Sequence, residues 1–478
     1  MPKFYLTTPI YYVNDLPHIG TAYTTIAADV LARYHRQQGE DVLFATGSDE
    51  NGQKIVQAAE KAHKSPADYV NEMAASWQQT WEQLGISYDR FIRTTDKDHI
   101  AGVRAFIAKV QASDDVYKGV YEGLYCVGCE EFKKESDLVN GRCPEHPNAE
   151  LEHLKEDNYF FKLSKYQDRL LKHVEDNPDF VQPESRRNEV LQFIKHGLED
   201  FSVSRPNKGW GIPWPDDKDQ VVYVWFDALV NYLVVAGYPE DLSQWWPADL
   251  HLVGKNIIKF HCVYWPAMLM SAGLPLPKRV FAHGFFTVDG QKISKSLGNA
   301  INPVELAGTY GVDALRFYLL REITFGGDGE FSHARFHQTY QSELADDLGN
   351  AVQRVASMVG RYMGGTIGEV PKSSHDVGLI HQAMVELRLD KALDELWVHV
   401  RSINQYIEQE KPWELAKTDP NQLSVVLHQA VADLLHVAEL LLPFMPATAQ
   451  RIAQTFEGGK IHPEVGILFP KFDEAPPK

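Results

Sequence analysis

The sequence predicts an α/β protein in which a parallel-sheet domain is split by an insertion and followed by an α-helical bundle. Over the first hundred residues, strand-like and helix-like segments alternate, as is typical of a parallel sheet with crossover helices. Near residue 116 this alternation gives way to hairpin-like segments with clustered cysteines, and it resumes after about residue 210. Beyond about residue 335 the strand signal nearly disappears.

The first elements follow from their residue patterns. KFYLTTPIYYV predicts a strand, and DVLFATGSDENG predicts a buried strand that ends in a turn. Between them, Ile26, Val30 and Tyr34 recur at four-residue steps on one helical face, and Gly39 ends that helix. QKIVQAAEKAH predicts a second helix.

The later segments predict the rest of the sheet and the bundle. QVVYVWFDALVNYL, DLHLVGKNIIKFHCVYWPAML and RVFAHGFF carry the α/β pattern, whereas LADDLGNAVQRVASMVGRYM and LSVVLHQAVADLLHVAELLL predict bundle helices. We therefore predict two halves of a sheet domain at 1–115 and 211–285, an insertion at 116–210, a linker region at 286–345 and a helical domain at 346–478.

The composition is that of a folded protein of several domains. The chain has 478 residues, of which 44% are hydrophobic and 23% charged. Its net charge of −18 argues against bulk attraction to polyanions, so a nucleic-acid partner requires a local basic face. The N-terminus lacks a signal peptide pattern, and no uninterrupted apolar stretch approaches about 18 residues, so we expect a cytoplasmic protein.

The clustered cysteines have the spacing of a zinc site. Two residues separate Cys126 from Cys129, thirteen separate Cys129 from Cys143, and two separate Cys143 from His146. Two paired-ligand turns joined by a short loop suit tetrahedral zinc, and four protein ligands close its coordination shell. We predict a structural Zn²⁺, with chance clustering or a disulfide as the alternatives. Cys262 lies apart in an apolar helix and is predicted to be a buried thiol.

Two short motifs are candidates for phosphate binding. PHIGT lies where the first strand passes into a helix, and there His18 adds a donor to the unpaired helix N–H groups while Gly20 permits close approach. DGQKISKSLG places Lys292 and Lys295 in a polar, glycine-bracketed stretch suited to a mobile loop. Taken singly, the two motifs are better explained as a helix-capping loop and a solvated lysine pair.

Taken together and in this order, HIGT (18–21) and KISKS (292–296) resemble the two signature motifs of class I aminoacyl-tRNA synthetases. TTPIYYVN, GSDENG, YVWFDALVNY, GKNIIKFH and YWPAML narrow the resemblance to the methionyl-tRNA synthetase family, of the bacterial type with one zinc knuckle. The similarity covers nearly the whole chain. It implies a Rossmann-like catalytic domain split by a zinc-binding insertion and followed by an α-helical anticodon-binding domain.

The resemblance implies ATP-dependent attachment of methionine to its tRNA through a methionyl-adenylate, with Mg²⁺ accompanying ATP. The implied catalytic residues are His18, Lys292 and Lys295. The implied ATP-binding residues are Asn14, His18, Gly20, Gly254, Asn256, His283, Lys292 and Lys295. Three positions depart from the family pattern: Thr21 replaces a second histidine, Ile293 replaces Met, and Asn256 replaces Asp. The effect of Thr21 and Asn256 on ATP binding is therefore open.

The resemblance also implies a methionine pocket, with an apolar slot for the thioether and an anion for the ammonium. Its implied residues are Ile10, Tyr12, Asp49, Trp225, Tyr232, Ile257 and His261. From spacing alone, Trp225 and Tyr232 are better explained as core aromatics.

Three residues of the helical third match the anticodon readers of the family. Asn350 and Arg354 are four residues apart and share one helical face, and Trp413 follows Pro412. Unpaired bases can stack on an indole and can be recognised at their edges by Asn and Arg. Without the resemblance, the Pro-Trp pair is better explained by packing and capping at a helix start.

Three alternatives stay open: another class I synthetase for an apolar amino acid, a tRNA-independent nucleotidyltransferase, and a non-catalytic tRNA-binding paralogue. The insertion is short for a hydrolytic editing domain. Because the sequence ends at GILFPKFDEAPPK, without the C-terminal dimerising domain that many family members carry, we expect a monomer.

Overall fold

The structure is a computed structural model that describes residues 2–129, 131–135, 138–144, 147–148, 150–288, 291–292, 301–373 and 375–472. By packing, the chain forms two compact units. The first unit comprises 1–17, 39–82 and 87–283. The second unit comprises 18–38, 83–86 and 284–478.

The strands of the described residues are, in chain order, β1 (Lys3–Tyr12), β2 (Asp41–Asp49), β3 (Arg90–Arg93), β4 (Val116–Cys126), β5 (Glu131–Lys133), β6 (Glu152–Phe161), β7 (Val181–Gln182), β8 (Phe201–Ser202), β9 (Ser204–Pro206), β10 (Pro213–Trp214), β11 (Asp217–Val222), β12 (Leu250–Gly254), β13 (Val280–His283), β14 (Phe286–Val288), β15 (Gln291–Lys292) and β16 (Gly329–Glu330).

The α-helices of the same residues are α1 (Ile19–Gln37), α2 (Gln53–Lys61), α3 (Pro66–Gln83), α4 (Lys97–Ala112), α5 (Gln167–Asp176), α6 (Glu184–Lys195), α7 (Val224–Ala228), α8 (Asn231–Val235), α9 (Trp265–Ser271), α10 (Pro303–Tyr310), α11 (Val312–Arg321), α12 (His333–Thr339), α13 (Asn350–Tyr362), α14 (Gly378–Val385), α15 (Leu389–Glu410), α16 (Pro412–Thr418), α17 (Pro420–Leu441) and α18 (Pro446–Thr455).

The first unit is built on a parallel sheet with the strand order β3-β2-β1-β12-β13-β7 among the described residues. The central strand β1 is buried because both of its faces are covered, and Tyr5 and Leu6 are fully enclosed. The carboxyl ends of β1, β2, β12 and β13 share one edge of the sheet, where ligands collect in folds of this type. The predicted split α/β class with a helical C-terminal region is confirmed.

A separate antiparallel sheet has the order β5-β4-β6-β8; β4, β5 and β6 lie between β3 and β7 in the chain, and β8 follows β7. β4 and β6 pair over their length, from Val116 opposite Phe161 to Tyr125 opposite Glu152, as the hairpin-like sequence predicted. β11 ends with the first three residues of the segment QVVYVWFDALVNYL, and it pairs with β9 and β10 and does not join the parallel sheet. A short apolar run shows that a strand is buried, but it does not show in which sheet the strand lies.

The second unit is mostly helical among the described residues, and it includes α1. Ile26, Val30 and Tyr34 are buried, so the predicted apolar face of α1 is confirmed. The carboxylate of Asp29 on α1 accepts a 2.6 Å hydrogen bond from Arg316 on α11, and both side chains are fully buried. Because α1 packs with these helices, the packing units do not follow the predicted domain boundaries, which stay a prediction.

Helix α17 is long and apolar enough to cross a membrane if only length and composition are considered, with a mean hydropathy of 1.3 over 18 residues. This average does not contradict the expectation that no uninterrupted apolar stretch approaches such a length in α17. Its apolar residues are separated by polar ones, so they form no uninterrupted stretch but still raise the average. Since 56% of the window is buried in the protein, the composition is accounted for by a core helix of the bundle.

Candidate active site

His18 caps the N-terminus of α1, at the position where a phosphate group was predicted. Its Nδ1 accepts a 3.0 Å hydrogen bond from the backbone N–H of Gly20. The hydroxyl of Thr21 accepts from the His18 N–H at 3.0 Å and lies 2.8 Å from the His18 carbonyl, to which it donates. These reciprocal bonds form a capping box, so Thr21 has a structural role that the sequence analysis did not foresee.

The cap determines which histidine nitrogen can act as a donor. Since Nδ1 of His18 accepts the Gly20 N–H, the proton of the neutral ring lies on Nε2. The cap also favours a glycine, because a Cβ at position 20 would lie 3.0 Å from Cε1 and 3.1 Å from Nδ1 of His18 and would press on the capping ring. The predicted roles of His18 and Gly20 are therefore compatible with the local geometry of α1.

The described residues on both sides of the lysine segment contact α1. The N–H of Ile19 donates to the carbonyl of Ile301 at 3.0 Å, and the ring of Tyr23 lies edge-on to Phe286 of β14, with 5.1 Å between centroids. β15 pairs with β14, so the backbone of Lys292 lies opposite Thr287. The side chain of Lys292 and the whole of Lys295 lie outside the described residues.

Of the predicted ATP-binding residues in the first unit, Gly254 and His283 lie together. They are register partners at the carboxyl ends of β12 and β13. Asn256 is exposed in the short helical turn that follows Gly254, and Asn14 is exposed just after β1. The ATP-binding roles of these four residues stay predictions.

The predicted side-chain pocket forms one aromatic cluster in the first unit. The Tyr232 hydroxyl lies 2.7 Å from Nε2 of His261, and Nδ1 of His261 lies 3.0 Å from the carbonyl of Ile257. Trp225 is half-buried and stacks on Phe260 with 3.8 Å between centroids and 5° between planes. Phe260 was missed by the sequence analysis, although it directly precedes His261. Ile10 and Tyr12, near the end of β1, pack against the same core.

This cluster is electrically neutral. A carbonyl only accepts hydrogen bonds, so the Ile257 carbonyl requires the proton of His261 on Nδ1, and Nε2 then accepts from the Tyr232 hydroxyl. Burial lowers the pKa of His261 to about 4, and burial also lowers the pKa of the neighbouring His251 well below its ordinary value. A neutral pocket lined by aromatic rings suits an uncharged, polarisable side chain. The buried carboxylate of Asp49 lies at the end of β2.

The three predicted cysteine ligands come together in the insertion. The Sγ atoms of Cys126, Cys129 and Cys143 all lie within 4.8 Å of one another, and 3.5 Å separates Cys129 from Cys143. This separation is too long for a disulfide, so that alternative is wrong for the described cysteines. Burial raises the pKa of the Cys129 thiol, and a bound cation would instead favour its thiolate. Three clustered sulfurs fit a zinc site, and the predicted fourth ligand, His146, lies outside the described residues.

The predicted anticodon residues lie on neighbouring helices of the second unit. Asn350 is exposed at the first position of α13, and Trp413 is partly exposed at the second position of α16. Helices α13 and α16 pack against each other. Nη2 of Arg354 pairs with Oε1 of Glu408 on α15 at 2.7 Å, a partner that the sequence analysis did not identify. An RNA base or phosphate that binds Arg354 must compete with this carboxylate.

A parallel sheet split by an insertion, together with a histidine-capped helix held between the flanks of a lysine segment, is the architecture of class I aminoacyl-tRNA synthetases. The family described as tRNA synthetases class I (M) matches residues 4–153 and 148–356. The family described as the anticodon binding domain of methionyl tRNA ligase matches residues 373–463. The chain belongs to the methionine–tRNA ligase family.

Similar proteins cover nearly the whole chain. The methionine–tRNA ligase of Thermotoga maritima is 47% identical over 94% of this chain and 74% of its own length, and that of Nostoc sp. is 48% identical over 94% and 89%. A solved structure of Mycobacterium tuberculosis methionyl-tRNA synthetase in complex with methionyl-adenylate has a TM-score of 0.91 and 39% identity. That match covers 100% of this chain and 99% of the other.

Proposed function

We propose that this chain joins methionine to ATP as methionyl-adenylate and then transfers the methionyl group to tRNA. In the first step a carboxylate oxygen of methionine attacks the α-phosphorus of ATP, the bond to the bridging oxygen breaks, and pyrophosphate leaves. In the second step the terminal ribose hydroxyl of tRNA attacks the acyl carbon, loses its proton and releases AMP. Neither step requires a covalent enzyme intermediate, so positioning and charge stabilisation supply the catalysis.

The observation that carries the proposal is the contact of α1 with both flanks of the lysine segment. Ile19 bonds to Ile301 on one side, and Tyr23 contacts Phe286 on the other. The described residues on both sides of the lysine segment thus contact the helix whose start is capped by His18. This supports joint action of the two motifs on one triphosphate.

On this proposal His18 donates from Nε2 to a phosphate oxygen, while the N-terminus of α1 supplies a partial positive charge. Asn14, Gly20, Gly254, Asn256 and His283 complete the nucleotide site. Lys292 and Lys295 neutralise the departing pyrophosphate. Mg²⁺ that arrives with ATP supplies further neutralisation of the phosphate charge.

Methionine occupies the neutral aromatic cluster, and the carboxylate of Asp49 binds its ammonium group. Trp225, Tyr232 and His261 contact the thioether, with Ile10, Tyr12 and Ile257 as further apolar walls. Because His261 is neutral, the slot places no charge beside the sulfur and disfavours charged side chains of similar length. Asn350, Arg354 and Trp413 recognise the anticodon.

A structural Zn²⁺ held by Cys126, Cys129, Cys143 and His146 ties together the turns of the insertion. With four protein ligands it has no open position for substrate, so we assign it no catalytic step. A monomeric state and a cytoplasmic location remain predictions.

The test is ATP–pyrophosphate exchange measured with each of the twenty amino acids. Methionine alone is expected to stimulate exchange, and tRNA charging is expected to fall when the anticodon of methionine tRNA is changed. Faster exchange with leucine or isoleucine would overturn the pocket assignment. Exchange without tRNA charging would favour a nucleotidyltransferase, and tRNA binding without exchange would favour a non-catalytic paralogue.

A further inference from the structure

Asp227 is a fully buried carboxylate for which the proposed reaction has no direct use. It lies in α7 and accepts a 2.6 Å hydrogen bond from Nδ2 of Asn51. Its other oxygen lies 2.5 Å from Nε2 of His99, whose side chain is also fully buried. Burial of a carboxylate is costly, and even one surrounded by donors adds little net stability. Stability alone therefore does not account for a carboxylate at this position.

The three residues come from parts of the sequence that are far apart. Asn51 follows β2, and His99 lies in the first turn of α4, so both precede the insertion, whereas Asp227 follows it. Nδ1 of His99 is buried and has no hydrogen-bond partner in the described part of the chain. The hydrogen-bonding capacity of the His99 ring is therefore directed at Asp227.

Asn51 and Asp227, which are joined by a hydrogen bond, each lie two residues from a proposed methionine contact. The N–H of Asn51 lies 3.4 Å from Oδ1 of Asp49, the proposed partner of the ammonium group. Asp227 shares the short helix α7 with Trp225, the proposed contact of the thioether. The Asn51–Asp227 bond thus links the segment that carries the anion to the helix that carries the indole.

The segment around Asp49 is also held from its other side. The carboxylate of Glu50 accepts two hydrogen bonds from Arg93, at 2.6 and 3.0 Å, and the Glu50 carbonyl accepts from Nε1 of Trp210 at 2.8 Å. With Glu50 fixed in this way, a change at Asp227 alters mainly the distance between residues 49–51 and α7.

We propose that Asp227 is a positioning residue that sets the separation between Asp49 and Trp225 and thereby the affinity for methionine. This inference rests on the proposed function, because it takes Asp49 and Trp225 as the two ends of the methionine site. Asp227 itself contacts neither substrate.

The test is Asp227→Asn in methionine-dependent exchange. The amide keeps the shape and can still accept from Asn51, while His99 can change tautomer to accept from the new NH₂, so the fold is expected to survive. The loss of the charge-assisted bonds is expected to raise the KM for methionine about tenfold. The kcat and the KM for ATP are expected to stay within about twofold of wild type, because the nucleotide groups are unchanged.

Asp115→Asn is the matched control. Asp115 is also a fully buried carboxylate, and it accepts hydrogen bonds from Lys165, Tyr166 and Ser271, none of which is a proposed substrate contact. This variant is expected to lower the melting temperature without changing the KM for methionine. His99→Gln should retain the wild-type KM, because the glutamine amide can still donate to Asp227.

A KM for methionine within twofold of wild type in folded Asp227→Asn overturns the inference, as does an equal rise in both Asp→Asn variants. If Asp227→Asn is not recovered folded, Asn51→Ala breaks the same link from the other side and must raise the KM in its place. Wild-type exchange is measured first. If wild-type protein shows no exchange with methionine, the proposed function is contradicted, and the inference fails with it. If wild-type exchange is normal and the KM of Asp227→Asn for methionine is unaltered, only the inference is contradicted.

Discussion

The backbone N–H of Ile19 donates a 3.0 Å hydrogen bond to the carbonyl of Ile301. Ile19 is the first residue of α1, and Ile301 is the first described residue after the lysine segment. The histidine motif is thus joined to the chain just beyond the lysine motif, more than 250 positions away in the sequence, by a backbone bond that depends on no side chain. A substitution in either motif can therefore change chemistry without removing this link.

Replacement of Thr21 by Ala should weaken the start of α1. The variant loses both hydroxyl bonds of the capping box, at a cost of about 1 kcal/mol. His18 should become less well oriented, so the KM for ATP is expected to rise several-fold in pyrophosphate exchange. Thr21→Ser keeps the hydroxyl and should behave like wild type. Unchanged ATP kinetics in Thr21→Ala would contradict a positioning role for the cap.

Replacement of Glu408 by Gln should strengthen tRNA binding. The change removes the carboxylate that pairs with Arg354, so that guanidinium no longer has to leave an ion pair to bind RNA. We expect a gain in affinity of about threefold at low salt, since a partly exposed pair contributes under about 1 kcal/mol. Arg354→Ala should lower affinity, and tRNA-independent exchange should not change in either variant. Equal affinities for wild type and Glu408→Gln would contradict this competition.

Removal of the metal should loosen the insertion. Elemental analysis of the purified protein is expected to find about one zinc per chain, and chelation should remove an unfolding transition, because the clustered sulfurs lose the ion that holds them. Cys126→Ser should lose the metal. Cys262→Ala should retain it, since Cys262 is buried away from the cluster as predicted. An unchanged melting profile after verified metal loss would contradict a structural role.

Acidification should destabilise the protein through His261. Its pKa is about 4 in the folded state because of burial, and about 6.5 in an unfolded chain. Below pH 6.5 the unfolded state therefore binds more protons, so the free energy of unfolding falls as the pH drops toward 4 and levels off below it. The loss from this group is of the order of 3 kcal/mol. Urea unfolding at pH 7 and pH 4.5 measures it, and His261→Gln should show a smaller difference between the two pH values.

The sequence predicted the features that depend on local spacing. The burial of Ile26, Val30 and Tyr34 follows from helical periodicity, and the cysteine cluster follows from paired ligands two residues apart. The neutral pocket was assigned through the family resemblance, because spacing alone did not separate Trp225 from an ordinary core residue. Its charge state became clear only from the contacts of His261.

The contacts that the sequence did not predict join residues far apart in the chain. Asp227 and His99 are 128 positions apart, and Arg354 and Glu408 are 54 apart. Periodicity describes which face of an element is buried, but it carries no information on which polar side chains meet across elements. The bonds of Thr21 are local, but the sequence alone left open whether its hydroxyl bonds to the neighbouring backbone, as it does in the structure.

The ion pair of Asp29 and Arg316 constrains how this protein can be recombined. Asp29 also pairs with Arg33 at 2.7 Å, so the costly change is the loss of Asp29, which leaves the buried Arg316 without a carboxylate at a cost of about 3 to 5 kcal/mol. Arg316 also donates to the carbonyls of Pro443 and Phe444. A chimaera that imports the helical domain of another synthetase should therefore import the helix bearing the histidine motif as well, because Arg316 bonds to both.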